Sequence, residues 1–358
     1  MHLEVDKTDF RKTRLIDSEI PGSLEPGQVL LEVDRYALTA NNVTYAVAGE
    51  AFDYWGFFPT TEPWGRIPMM GYGVVAASEH PDISPGERYF GFFPMASHLV
   101  VEPQGSADVF VDNVEHRCGH AAIYRSYNKT NLDPVYDETR QDHYLLLRGV
   151  FLTSFLVDDH LADNDFFGAS SVIVTSASSK TSIALGSLLR ERPQIEAIGL
   201  TSARNRAFVE GLGLYDSVLT YDEVGSLDAS VPSVLADMAS NAELTTRIHN
   251  RLADSVKNSC QIGLTHWEST DGLGDLPGAQ PEFFFAPTHF AAKLIEGDDS
   301  VRERAAKSLG RFVADSPDWL SIERVSGAED AEQAYLDTVD GNVAPDRGLV
   351  VSMSPTVG

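Results

Sequence analysis

Between residues 28 and 100 short apolar runs alternate with turn signals. Val29-Leu30-Leu31-Glu32-Val33 and Gly73-Val74-Val75-Ala76-Ala77 are punctuated by Pro-Gly pairs at 26–27 and 85–86. This spacing predicts a β-rich domain with tight turns. The aromatic and Pro-containing stretches 54–64 and 90–94 follow neither a strand nor a helix period and read as loops. Residues 104–143 are polar and weakly patterned, and read as an insertion without an assigned element.

At Leu145 the period changes to a long apolar helix ending near Asp163. Ser171-Val172-Ile173-Val174-Thr175 follows, a β-branched run suited to a buried parallel strand. A helix at 181–189, a strand at 195–200, a helix at 204–212 and a strand at 217–220 complete the alternation of an open α/β sheet. Further apolar runs at 233–238 and 260–264 extend it. A helix at 328–339 and a strand at 348–353 close the chain. The expected fold class is therefore α/β, a doubly wound parallel sheet plus a β-rich domain. The expected divisions are 1–150, 151–310 and a tail at 311–358 that returns to the first part.

Composition narrows the function. With 27 basic and 53 acidic residues the net charge is −26, and only seven of the basic residues are Lys. A nucleic-acid surface is excluded by that balance, and an anionic ligand must meet a local basic pocket. The longest apolar stretch, 144–157, is broken by Arg148, so no membrane span is expected. The first residues lack the blocks of a signal peptide, and Cys118 and Cys260 are too few for a disulfide framework. A cytoplasmic protein with reduced thiols is expected.

The strongest local signal is the strand at 172–175 running through Ser176, Ala177, Ser178, Ser179, Lys180 and Thr181 into a helix. Small side chains there let a phosphate approach backbone N–H groups at the positive helix end. The glycines of the usual dinucleotide fingerprint are absent, and a Ser-rich helix cap is the competing reading. The second strand ends in Thr201-Ser202-Ala203-Arg204-Asn205-Arg206, the place where a dinucleotide fold reads the adenosine ribose. A carboxylate there favours NAD, whereas a cation favours the 2′-phosphate of NADP. Two arginines and a hydroxyl point to NADP(H), with Ser202 and Arg204 as the binding pair. A solvated helix start is the alternative, although cations are mildly unfavourable there.

These stretches, together with 208–222 and its Leu212-Gly213-Leu214-Tyr215-Asp216-Ser217-Val218-Leu219-Thr220-Tyr221 run, resemble the nucleotide-binding half of the medium-chain dehydrogenase/reductase superfamily. Residues 27–33, 71–75 and 84–89 resemble the strands and turn of its GroES-like domain, and 322–335 with 349–351 resemble its returning tail. About two-thirds of the chain is covered, with 104–143 and 265–315 outside the pattern. Residues 146–159 and the Ser-Ala-Ser-Ser-Lys-Thr loop look like a branch carried as a domain of unknown function. Its nearest characterised relatives would be zinc-free quinone oxidoreductases and enoyl reductases.

The resemblance implies a Rossmann-type sheet, a GroES-like domain, a homodimer and a small-molecule substrate. Zinc members carry Cys and Gly-His-Glu where this chain has Thr39-Ala40-Asn41-Asn42 and Met70-Gly71-Tyr72, so no metal is expected. Asn41, Asn42 and Tyr45 match the segment facing the nicotinamide. Tyr45 is the expected polariser or proton donor, with Tyr54 as substitute; a Tyr packed in the domain is the open alternative. Thr153 matches a Thr near the nicotinamide, and Tyr221 one near the adenosine phosphate. His116, Cys118 and His120 read as a surface strand with an ordinary thiol, and Asp158, Asp159, Asp163 and Asp165 as a solvated turn. The expected activity is NADP(H)-dependent, zinc-independent hydride transfer to a carbonyl, enone or quinone-like acceptor. The alternative is a catalytically inactive NADP(H)-binding redox sensor or scaffold.

Overall fold

The computed structural model describes residues 1–17, 19–238, 240–262, 274–295, 297–298 and 300–354. The chain forms two compact units, Met1–Leu146 with Leu320–Gly358, and Leu147–Trp319.

The first unit holds β1 (His2–Asp6), β2 (Asp9–Ile16), β3 (Val29–Leu38), helix α1 (Ala40–Val47) and β4 (Trp64–Gly65). It continues through β5 (Pro68–Ser78), β6 (Arg88–Pro94), β7 (His98–Val101), β8 (Pro103–Gly105), β9 (Val109–Asp112), the short α2 (Ala122–Arg125) and β10 (Ser126–Lys129). Strands β2, β1 and β4 make a small sheet, and the others join a nine-stranded sheet. The expected loop at 90–94 is instead most of β6. All residues from Tyr89 to Pro94 are buried, so both strand faces are covered and the polar alternation that marks a half-exposed strand is missing. The stretch at 104–143 is part of the sheet, since β9 pairs with both β8 and β10, and β10 with β6. Its short strands with polar edges gave no period to read.

Helix α3 (Gln141–Asp163) contains the boundary between the units. In the second unit come β11 (Ser171–Val174), α4 (Lys180–Leu189), β12 (Glu196–Thr201), α5 (Arg206–Leu212), β13 (Ser217–Thr220) and β14 (Ser233–Asp237). Helix α6 (Ala242–Leu252), β15 (Val256–Gln261), β16 (Pro281–Phe283), α7 (Ala286–Ile295) and α8 (Ser300–Asp315) follow. The strand expected at 260–264 ends at Gln261, and residues 263 and 264 lie outside the described residues, as do 265–273 of the unassigned 265–315 stretch. The chain then returns to the first unit as β17 (Ser321–Ser326), α9 (Ala328–Val339) and β18 (Arg347–Ser352).

Among the described residues the second unit's sheet has six strands, all parallel, in the order β13-β12-β11-β14-β15-β16. Numbered along the chain this is 3-2-1-4-5-6, the doubly wound dinucleotide-binding order. One face of the sheet packs Val172, Val174, Leu185 and Leu189, the other Ile173, Leu200, Leu235 and Ile248. Covering both faces explains why these strands read as continuous apolar runs.

The acidic end of α3 is the expected solvated turn only in part: Asp163 and Asp165 are exposed. Asp158 and Asp159 are buried, and each carboxylate is paired. Asp158 accepts from Arg192 Nη2 at 2.7 Å, and Asp159 from Arg304 Nη1 at 2.6 Å and His289 Nε2 at 3.2 Å. Helix period carries these acids to an inner face where long-range partners meet them, which local charge density does not reveal.

His249 of α6 is completely buried, with Nδ1 at 3.0 Å from the Pro277 carbonyl and Nε2 at 2.9 Å from Ser259 Oγ on β15. The carbonyl can only accept, so Nδ1 donates and neutral Nε2 accepts the serine proton. Burial holds its pKa below the ordinary value, because charging it would cost desolvation. The contribution of such a group to stability is therefore present above its unfolded pKa of about 6.5 and is lost as pH falls below it. The denaturation midpoint of the parent should fall more steeply between pH 7 and pH 5 than that of His249→Gln; parallel pH profiles would refute this role.

Candidate functional site

The site is built at the carboxyl ends of β11 and β12, where adjacent parallel strands hand the chain to helices. After Thr175 the backbone turns sharply. Ser176 has φ +49°, a left-handed conformation that costs a non-glycine residue of order 1 kcal/mol. Ala177 N–H donates to the Leu200 carbonyl at 2.9 Å, binding this loop to β12. Gly199 makes the approach possible, since a Cβ there would lie 3.0 Å from the Tyr215 ring and 3.1 Å from Ala177 Cβ.

Ser179 caps α4, its Oγ accepting from Ser182 N–H at 3.1 Å. Ser182 Oγ donates to the Thr175 carbonyl at 2.9 Å, and Ser154 Oγ on α3 to the Thr181 carbonyl at 2.7 Å. The capping reading of the Ser-rich loop is thus realised at Ser179. Ser176 and Ser178 are not used in that cap. Lys180 opens α4 and is half-buried. Thr153 lies on α3 and donates to the Gly149 carbonyl at 3.4 Å.

Beyond β12, Ser202 leads into a 3-10 turn at Ala203–Asn205 and then α5. Arg204 is exposed on that turn. Arg206 is held away from such duty: its Nη1 lies 3.0 Å from both Glu223 oxygens, and its Nε 2.8 Å from Glu210. The Thr220 N–H and then Arg206 hold the Glu223 carboxyl below the usual carboxylate range. Thr201 Oγ1 and Ser202 Oγ are buried without a hydrogen-bond partner, an unmet polar demand at this edge of the sheet. Tyr221 follows β13; its ring packs partly against the core and its carbonyl accepts from Arg247 Nη2 at 2.8 Å.

Two residues missed in the sequence organise this edge. Asn205 Nδ2 donates to Ser178 Oγ at 2.9 Å, joining the two loops. Asp237, buried at the end of β14, accepts from Thr175 Oγ1 at 2.7 Å and Thr245 Oγ1 at 2.8 Å. Asn beside two arginines in a helix start was the available signal for the first. The second had none, because its partners are remote in sequence.

In the first unit, Tyr45 on α1 sits in an aromatic cluster. Its ring centroid is 4.6 Å from Tyr54, 5.5 Å from Phe92 and 6.4 Å from Tyr124. Burial raises its pKa well above the ordinary phenol value, and a hydrogen bond with the Asn41 side chain acts in the opposite direction. Tyr45 therefore keeps its proton across the usable pH range and can act as a donor. Asn42 is engaged in structure: Oδ1 accepts from Thr39 N–H at 2.8 Å and Nδ2 donates to the Pro68 carbonyl at 3.2 Å. Tyr54 Oη lies 3.4 Å from Tyr124 Oη.

His116 lies within a 3-10 turn at Glu115–Arg117 and Cys118 follows it, so neither is in the expected strand. Buried Arg117, paired with Asp112, dictates this local wrapping. His120 points elsewhere, to the Asp53 carbonyl at 2.9 Å. Among the described residues one grouping has three side chains spaced for a metal: Asp159, Asp163 and His289. Lys293 and Arg304 already neutralise it.

The family model described as protein of unknown function (DUF2855) matches residues 36–344. No curated protein matches the chain. Among solved structures, CurA from Vibrio vulnificus in complex with NADPH is 12% identical, with 99% of each chain covered and a TM-score of 0.62. YhdH from E. coli K-12 with bound NADPH is 17% identical, covering 99% of this chain and 100% of that one, TM-score 0.56. The quinone oxidoreductase from Coxiella burnetii is 16% identical over 98% of each chain, TM-score 0.51. At these identities the likeness shows the fold alone: a Rossmann-type domain with a GroES-like domain. Among the described residues no helix is long and apolar enough to cross a membrane.

Proposed function

We propose that this chain, which belongs to the DUF2855 family, is an NADP(H)-dependent, zinc-independent oxidoreductase that passes hydride to a carbonyl, enone or quinone-like small molecule and works as a homodimer. The observation that carries the reading is the edge of a 3-2-1-4-5-6 parallel sheet where the loop at 176–181 meets a turn bearing Ser202 and Arg204 and no carboxylate. The orphan hydroxyls of Thr201 and Ser202 fit a polar ligand there. Two solved proteins of this fold are described with NADPH, and a third as a quinone oxidoreductase.

Ser176, Ala177, Ser178, Ser179, Lys180 and Thr181 would hold the phosphates, Ser202 and Arg204 the 2′-phosphate, and Tyr221 and Thr153 the flanking parts. The cofactor, when bound, supplies the hydride chemistry. The chain supplies a proton donor. Tyr45, protonated and steadied by Asn41, can donate to an oxygen that gains negative charge. Asn42 supports it by fixing the start of α1 to Pro68, the first residue of β5. The segments 39–42 and 70–72 offer no thiol or imidazole to a zinc ion.

The sensor reading has its own support: serine replaces glycine at a left-handed position, and Tyr45 is only 8% exposed. Turnover separates the two. NADPH consumption across quinones, enones and ketones should be measurable for the parent. Tyr45→Phe should lower kcat by roughly 100-fold with NADPH affinity unchanged. Tight NADPH binding with no turnover on any acceptor would sink the enzyme reading in favour of the sensor.

A further inference from the structure

We infer that Asn205 is a positioning residue that aims the Ser178 hydroxyl proton at the cofactor phosphates; this rests on the NADP(H) reading above. Asn205 stands at the N-cap of α5, a position where its side chain would ordinarily accept a backbone N–H of the first turn. It makes no such bond. The side chain reaches across to the neighbouring loop, and Nδ2 donates to Ser178 Oγ at 2.9 Å, 27 residues away.

The direction of that bond decides what Ser178 can do. A serine oxygen carries one proton and two acceptor sites. Occupying an acceptor site with an amide donor leaves the proton to point elsewhere. The neighbouring serines are committed differently. Ser179 Oγ accepts from Ser182 N–H at 3.1 Å, and Ser182 Oγ donates to the Thr175 carbonyl at 2.9 Å. Ser178, half-buried at the carboxyl edge of the sheet, is the hydroxyl of the loop whose acceptor site is filled from the ribose-reading turn. In a loop where serines replace the glycines that expose backbone N–H groups, this hydroxyl supplies a compensating donor.

The same bond ties the phosphate loop to the turn carrying Arg204. The Asn205 backbone N–H donates to the Ser202 carbonyl at 3.0 Å, so the turn is closed and the amide is presented from a fixed frame. The phosphate bridge is common to NADPH and NADH, so the effect of Asn205 must fall on both, unlike that of Arg204.

A double-mutant cycle tests this with the full chain, titrated with NADPH and with NADH. Asn205→Ala and Ser178→Ala should each weaken both nucleotides by roughly tenfold. Combined, they should weaken binding little more than either alone. Asn205→Asp, of the same shape, forces Ser178 to donate to the carboxylate and should weaken binding further; in the Ser178→Ala background part of that loss should vanish. Thermal midpoints of the nucleotide-free variants should fall by no more than a few degrees, the cost of one part-buried hydrogen bond, since no helix cap is lost. Multiplicative losses in the double variant, or losses confined to NADPH, would overturn the role of Asn205 while leaving the cofactor reading intact. A parent that binds neither nucleotide would overturn both.

Discussion

Glu4→Ala should lower the unfolding free energy by about 3 kcal/mol, the low end of the range for breaking a buried ion pair. Glu4 is 1% exposed on β1, yet both carboxylate oxygens are saturated. Oε2 accepts from Arg14 Nε at 2.9 Å and Nη2 at 2.6 Å. Oε1 accepts from Arg66 Nε at 3.0 Å and Nη2 at 2.8 Å, and from Thr60 Oγ1 at 2.7 Å. Burial pushes the carboxyl pKa up, but Thr60, Arg14 and Arg66 together outweigh it and leave the value below the ordinary one. Removing the carboxylate strands two guanidiniums facing each other. Their side chains are 33% and 23% exposed, so water recovers part of the loss and the upper end of the range is not reached. Glu4→Gln should be nearly as damaging, because its NH₂ group would meet N–H donors. A denaturant midpoint for either variant within about 0.5 kcal/mol of the parent would show that the triad is a surface decoration.

Arg204→Ala should weaken NADPH by roughly 10- to 100-fold and NADH by less than about twofold, the cost of losing charge-assisted hydrogen bonds to a phosphate. Arg206 is held by Glu210 and Glu223, and its charge is already answered. Arg204 is exposed on the turn that follows Ser202. Arg206→Ala should therefore change NADPH affinity much less than Arg204→Ala, although it removes the same formal charge. Arg204→Lys should recover only part of the loss, since an ammonium cannot grip a phosphate bidentately. Equal losses for NADPH and NADH would remove the 2′-phosphate assignment.

The parallel sheet was largely legible in the sequence. Strands buried on both faces leave β-branched runs such as Ser171–Val174, and the helices between them carry clear apolar periods. The same burial hid β6, because a run without polar residues from Tyr89 to Pro94 has no period of 2 to recognise. The candidate residues of one continuous loop, Ser176 to Thr181, stand together because they are consecutive in the chain. What could not be read was how hydrogen bonds divide them: Ser179 is taken by the helix cap, Ser178 by Asn205, and Asn42 by Thr39 and Pro68. Those choices depend on groups up to 27 residues apart. The fate of Asp158 and Asp159 lay in Arg192, Arg304 and His289, so a local reading of charge placed them in solvent.

Calorimetric titration of the parent protein with NADPH and with NADH, at one ionic strength, tests the central claim most directly. The parent should bind NADPH with a Kd at least roughly tenfold below that for NADH. No heat with either nucleotide, or equal affinity for both, would contradict it.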